Sequence, residues 1–300
     1  MARLRNNGGV VGPAVTINAS SASGLFHIIE ANQYIALGTF PRFLGNNDNY
    51  FPYTTLLLHA DGTNGANNSV FLDSSSTYVP FSGTYSNYFN GSSYLTGTIS
   101  APGAGNFTME CWVYFNSFLA TTTPFSMLAG SSTSGFEVWA SATQWGIRNN
   151  LSNFITYSGS APQTNTWYHV AIVRNFGTIT LYVNGVSVGS TATAYTTTDT
   201  NLSIGSWLGN GSTFVTGYVS NVRLVNGQAL YTGAFTPPTS AMTATSIGTS
   251  GVNVASSITG TVAVLTCQSA SIVDNGPANI SLSTTGTVGI SAGGNPITRQ

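Results

Sequence analysis

Thr178-Ile-Thr-Leu-Tyr-Val-Asn-Gly-Val-Ser-Val188 decides the fold class. Ile179, Leu181 and Val183 alternate with Thr180 and Tyr182, the two-residue period of a strand with one buried face. Asn184-Gly185 then breaks the alternation. A type I′ hairpin turn needs positive φ at both central residues, and Asn and Gly accept that backbone most readily. Across such a turn Val183 faces Val186 and Leu181 faces Val188, so all five apolar residues share one face of the ribbon. Working outward, Phe107-Thr-Met-Glu-Cys-Trp-Val-Tyr-Phe115 alternates in the same way. Trp167-Tyr-His-Val-Ala-Ile-Val-Arg174 reads as a more fully buried strand, and Asn201–Gly205 and Gly217–Val225 continue the series. Turn signals recur at intervals of roughly 8–15 residues, which predicts an all-β antiparallel sandwich over residues 53–242.

The flanks differ in texture. Residues 1–52 begin as a Gly-rich arm, and within Phe26–Leu37 the apolar residues 26, 29, 34 and 37 form a helical stripe. Ser23 is its cap, Gly38 its stop, and Pro41 bars continuation, so a short helix is expected in an attachment arm. Residues 243–300 are rich in Ser, Thr and Gly, with short alternations at Thr261-Val-Ala-Val-Leu265 and Thr287-Val-Gly-Ile290. Strands this weakly amphipathic need a partner sheet, so a β-rich appendage or arm is expected there.

Composition removes several function classes. Charged residues are 5% of the chain, against roughly 25% in an ordinary soluble domain. All 7 basic residues are Arg, against 8 acids, for a net charge of −1 with no basic cluster. That excludes a phosphate-binding nucleic-acid surface, which concentrates Lys and Arg. At 42% hydrophobic and 12% aromatic, the chain is not a solvated coil. No apolar run approaches the ~20 residues of a membrane helix. No apolar stretch follows Arg3 and Arg5, so the expectation is a product made soluble, without a secretory signal of its own. Cys111 and Cys267 are too few for a disulfide framework, and Cys111 reads as a small buried hydrophobe. A near-neutral surface favours association, so a homo-oligomer, for example a trimer, is expected.

Five motifs in order carry a family resemblance: Gly91-Ser-Ser-Tyr-Leu95, Phe107-Thr-Met-Glu-Cys-Trp-Val113, Trp167–Arg174, Leu181-Tyr-Val-Asn-Gly185 and Leu202-Ser-Ile-Gly205. Together they resemble the laminin-G-like, concanavalin A-like jelly rolls. The closing run Gly217–Thr239, the opening Leu56-Leu-Leu-His-Ala-Asp-Gly62 with Leu72-Asp-Ser-Ser75, and Ser23-Gly-Leu-Phe with Gly38-Thr-Phe-Pro41 are similar to virion proteins of tailed bacteriophages. The resemblance implies a non-enzymatic virion component, on the tail, a fibre or the capsid surface. Its partners would then be other virion proteins and copies of itself.

The residues offer little catalysis. His27, His59 and His169 each have a structural account, and Gly289-Ile-Ser-Ala-Gly293 lacks the strand–turn–helix of a nucleophile elbow. Glycoside hydrolysis needs two converging carboxylates, and none of Glu30, Glu110 and Glu137 has an acidic neighbour within four positions. No cofactor is called for. A calcium site would draw on Asp61, Asp73 and Asp199, isolated in Asn/Thr/Ser/Gly loops. The alternative to a purely structural role is a carbohydrate-binding adhesin for host surface glycans. Sugars stack on exposed aromatic faces, and Trp139, Trp145, Tyr195 and Trp207 lie in or near hydroxyl- and amide-rich stretches. Trp112 and Trp167 read as core. A polysaccharide-cleaving enzyme is the second alternative.

Overall fold

The computed structural model describes residues 58–59, 72–73, 79–80, 84–127, 134–149, 152–192, 196–207 and 213–292. The arm 1–52 with its expected helix, and Tyr195 and Asp61, lie outside the described residues. Among the described residues every regular element is a strand. In chain order these are β1 (Leu58–His59), β2 (Leu72–Asp73), β3 (Tyr85–Asn90), β4 (Tyr94–Thr98), β5 (Phe107–Ser117) and β6 (Thr122–Ser126). Then follow β7 (Glu137–Ala140), β8 (Trp145–Asn149), β9 (Ser152–Tyr157), β10 (Trp167–Asn175), β11 (Thr178–Val183) and β12 (Val186–Ala192). The last five are β13 (Asn201–Ile204), β14 (Thr216–Asn226), β15 (Thr261–Thr266), β16 (Leu282–Thr285) and β17 (Gly289–Ala292).

Two antiparallel sheets form a sandwich, as the alternation requires. The larger runs β12-β11-β10-β5-β14-β3-β17, with β15 also on β14; the smaller runs β16-β4-β13-β6-β7-β8-β9. Odd-numbered residues of β5, from Phe107 to Phe115, join Val170, Ile172, Ile179, Leu181, Val219 and Leu224 in the core. Leu95, Phe125, Val138, Trp145 and Ile147 meet them from the smaller sheet. Each such side chain stabilises the fold by roughly 1.5–3 kcal/mol.

The deciding hairpin forms, with Asn184 and Gly185 at φ 49° and 76°. Its register departs from expectation. Val183 does face Val186, but a bulge sets Leu181 opposite Gly189 rather than Val188, and Val186 is 61% exposed. The extra residue turns the edge strand, so the five apolar residues do not share one face.

The C-terminal stretch is also built differently from a separate appendage. β15 pairs with β14, β16 with β4 and β17 with β3, so residues 261–292 supply strands to both sheets. The partner sheet that those weak alternations needed is the sandwich itself. Ser291 of the Gly-x-Ser-x-Gly string lies in β17 opposite Ser86, in a strand and not an elbow.

Residues 227–260, between β14 and β15, form a strap over the outer face of the larger sheet. Beneath it Ala171, Val173, Tyr182, Val225, Leu230, Tyr231, Met242 and Ile247 make a second small core. The Phe235 N–H donates to Gly185 O at 3.0 Å, which ties the strap to the hairpin turn.

Candidate functional site

The outer face of the larger sheet holds a buried charge cluster under the strap. Glu110 on β5 is directly opposite Arg223 on β14 and Ala171 on β10. Arg223 Nη2 and Nε donate to Glu110 Oε1 at 2.6 and 2.9 Å. Tyr231 Oη donates to Oε2 at 2.7 Å, and His169 Nε2 lies 3.0 Å from the same oxygen. The other Arg223 nitrogen, Nη1, donates to the strap carbonyls of Thr243 and Ser246 at 2.9 and 2.7 Å. All four groups are buried. This arrangement clamps the strap to the sheet and leaves Glu110 no lone pair facing solvent.

Burial by itself pushes the Glu110 carboxyl up, but the Arg223 charge, with the His169 and Tyr231 contacts, outweighs it and holds the group at about 2. The folded value lies below the unfolded one, so the stability it contributes is complete above about pH 4.5 and is lost as pH falls toward 2. Glu137 has the opposite sign: burial raises its carboxyl and Arg148 only partly opposes this. The Glu110→Gln variant isolates the first effect. Its deficit in urea midpoint relative to the unaltered chain is expected to be constant from pH 7 to 5 and to shrink between pH 4.5 and 2. A deficit that stays constant to pH 2 would show that Glu110 does not titrate in this window.

The smaller sheet and its flanking residues account for three expected glycan-contacting tryptophans. Trp139 is 6% exposed, Trp145 is 1% and Trp207 is 4%, so none offers a free ring face. Trp145 points between the sheets, packed on Phe115 and Tyr168. Trp139 lies over Gly146, its partner across β7 and β8, where any side chain at 146 would strike the indole. Arg148 sits between the Trp139 and Trp207 rings, 5.8 and 5.5 Å from their centroids, and pairs with Glu137 at 2.7 Å. Trp139 and Trp145 sit in short strands joined by a Ser141–Gln144 turn, and Trp207 follows β13, its backbone N–H donating to Thr213 Oγ1 at 3.0 Å.

The remaining acids with described side chains are engaged too. Asp199 Oδ1 accepts from the Asn201 backbone N–H and Nδ2, at 2.9 and 2.7 Å. Asp274 accepts three backbone N–H groups, from Leu265, Gly276 and Ile280, and organises the loop after β15. Asp73 is in β2, its side chain outside the described set. Among the described residues no three His, Cys, Asp or Glu side chains gather around one point.

What the larger sheet does display is a row of aromatics at one end of its outer face. Tyr88, Tyr218, Tyr114 and Trp167 are in direct register across β3, β14, β5 and β10. Successive ring centroids are 5.0, 5.8 and 5.5 Å apart. Tyr88, Tyr114 and Trp167 are half-buried, and Tyr218, between Tyr88 and Tyr114 in the row, is buried. Tyr114 Oη donates to Asn165 Oδ1 at 3.4 Å. Trp167, expected in the core, faces outward because Val170 and Ile172 take the inward positions of β10. The even positions of β5 carry the signal for this row, as Tyr114 alternates with the inward Val113 and Phe115. The pairing that completes it joins residues far apart in sequence.

Comparison with known proteins places the fold. Residues 89–231, just under half of the chain, match the laminin G family model described as the concanavalin A-like lectin/glucanases superfamily. With the two-sheet architecture, this defines the class as a concanavalin A-like β-sandwich. A search of curated proteins found no match. Solved structures with similarity include a candidate carbohydrate-binding protein of Bacteroides ovatus, at 17% identity and TM-score 0.46. That alignment covers 73% of this chain and 62% of the Bacteroides protein, less than two thirds of its length. A heptameric SAP-like pentraxin from Limulus polyphemus aligns at 15% identity and TM-score 0.46, over 70% of this chain and 95% of its own. Domains LG4-5 of the mouse laminin α1 chain align at 15% identity and TM-score 0.38, over 51% and 45%.

Proposed function

We propose that this chain is a non-catalytic carbohydrate-binding protein whose contact surface is the outer face of the larger sheet. The observation that carries the reading is the registered row Tyr88–Tyr218–Tyr114–Trp167, in which Tyr88, Tyr114 and Trp167 are partly exposed on an uncharged surface around the buried Tyr218. Sugar C–H faces pack on aromatic rings while amides and hydroxyls read the sugar hydroxyls, and a neutral glycan needs no counter-charge. The lectins and glucanases in the description of the matching family model support the carbohydrate part of this reading. Glycosidases work by two carboxylates flanking the scissile bond, and the engaged state of Glu110, Glu137, Asp199 and Asp274 supports binding without cleavage.

Affinity electrophoresis through gels containing soluble neutral polysaccharides tests this. Retardation is expected for the full chain and is expected to weaken about tenfold, ~1.4 kcal/mol, in Trp167→Ala. No reducing ends should appear on prolonged incubation. Undiminished retardation in a Tyr114→Ser, Trp167→Ser double variant would remove the row from the account.

The setting we propose is a virion, with the chain as an assembly-mediating subunit of a tail, fibre or capsid surface. The 5% charge favours a subunit packed among neighbours. Mass spectrometry of purified particles should detect the chain at stoichiometric abundance, and its absence from them would remove this setting while leaving carbohydrate binding intact.

A further inference from the structure

The hairpin between β10 and β11 turns through Phe176 and Gly177, at φ 46° and 81°. This is type I′ backbone, suited to Asn, Asp and Gly; in an aromatic residue it is strained. The hairpin between β11 and β12 makes the same kind of turn from Asn184-Gly185. Phe176 gains nothing by packing, because it is 90% exposed. Its backbone is nonetheless held, as the Phe176 N–H donates to Asn106 Oδ1 at 2.9 Å. Strain at a fixed, exposed position points from the outlier to a use.

Beside this tip, between the first residues of β11 and the strap, lies a groove of about 240 Å³. Asn175, Thr178, Thr180 and Thr232 line it with amide and hydroxyl groups, and Tyr182 adds an aromatic wall. No acid or base takes part in the lining. An ionic ligand would find no partner there, and a purely apolar one would strand the hydroxyls. An uncharged ring with one apolar face and hydroxyls around its edge satisfies both. The volume lies below the ~300–1,000 Å³ of drug-sized pockets, so it suits one ring rather than an oligosaccharide.

We infer that this groove is a second sugar-binding site, taking a single neutral hexose or pentose unit whose apolar face rests on Phe176. The inference rests on the carbohydrate-binding reading but uses a separate site, about 25 Å along β10 from Trp167 at roughly 3.3 Å per residue.

The test is titration of the isotope-labelled full chain with methyl glycosides of glucose, galactose, mannose and arabinose, following backbone amide resonances. At least one glycoside should shift the amides of Phe176, Gly177, Thr178 and Thr180. Phe176→Gly should weaken that binding at least tenfold while raising the thermal midpoint, since glycine adopts the turn without strain. A merely structural residue would not show this opposite movement of binding and stability. Thr180→Val, which keeps the shape and removes one hydroxyl, should weaken binding several-fold, and Trp167→Ala should leave it unchanged. Shifts confined to Tyr88, Tyr114 and Trp167 would overturn the groove and leave the row standing. So would a change of oligomeric state in Phe176→Gly by light scattering without any glycoside shift at the tip. Failure of every glycoside and every polysaccharide to bind would overturn both.

Discussion

Glu110→Ala is expected to lose about 3–5 kcal/mol of stability, read as a fall in the urea midpoint at pH 7. The whole fold is expected to be worth only ~5–15 kcal/mol, so this is a large share. The loss follows from what stays behind: Arg223 keeps its charge in a fully buried site with only strap carbonyls as partners, and Tyr231 and His169 lose their shared acceptor. Replacing both charges, as in Glu110→Met with Arg223→Met, should cost clearly less than the sum of the single changes, because no uncompensated ion remains. Additive losses would mean that the pair is not coupled and that the strap is held by its apolar residues alone.

Trp145→Ala is expected to lose a similar amount, about 3–5 kcal/mol, through lost transfer energy and the cavity it leaves. The indole lies 5.9 Å from Phe115 and 5.3 Å from Tyr168, centroid to centroid, in the middle of the sandwich. The sugar affinity of the folded fraction should be unchanged, which separates a core residue from a binding one. Measured together, calorimetric stability should drop and polysaccharide retardation by the folded protein should persist. A stable variant with lost binding would return Trp145 to the role its sequence surroundings implied.

The fold was legible where chemistry is local. Alternation and the Asn184-Gly185 turn pointed to the hairpin because both signals lie within eleven residues. The bulge at Val188 was not legible, since its cause is the closing of the sandwich edge, where Gly189 lies against Ile155 of β9. The site was less legible for the same reason. Glu110 is 113 residues from Arg223 and 121 from Tyr231, so no local pattern announces their cluster. Trp139 and Trp145 were misplaced because β7 and β8 are short strands set among Ser and Thr, whose composition resembles that of a loop. Trp167 was misplaced in the other direction, its outward face hidden by the apolar run that follows it. Residues 261–292 carry enough alternation to be strands, but only the sheets show which neighbours they join.

The most direct measurement is a crystal structure of the full chain with a neutral oligosaccharide bound. The account expects density for sugar rings against Trp167 and Tyr114 on the outer face of the larger sheet, with Glu110 still paired to Arg223. A saccharide held at the rim between the two sheets, or a cleaved product beside a freed carboxylate, would contradict it.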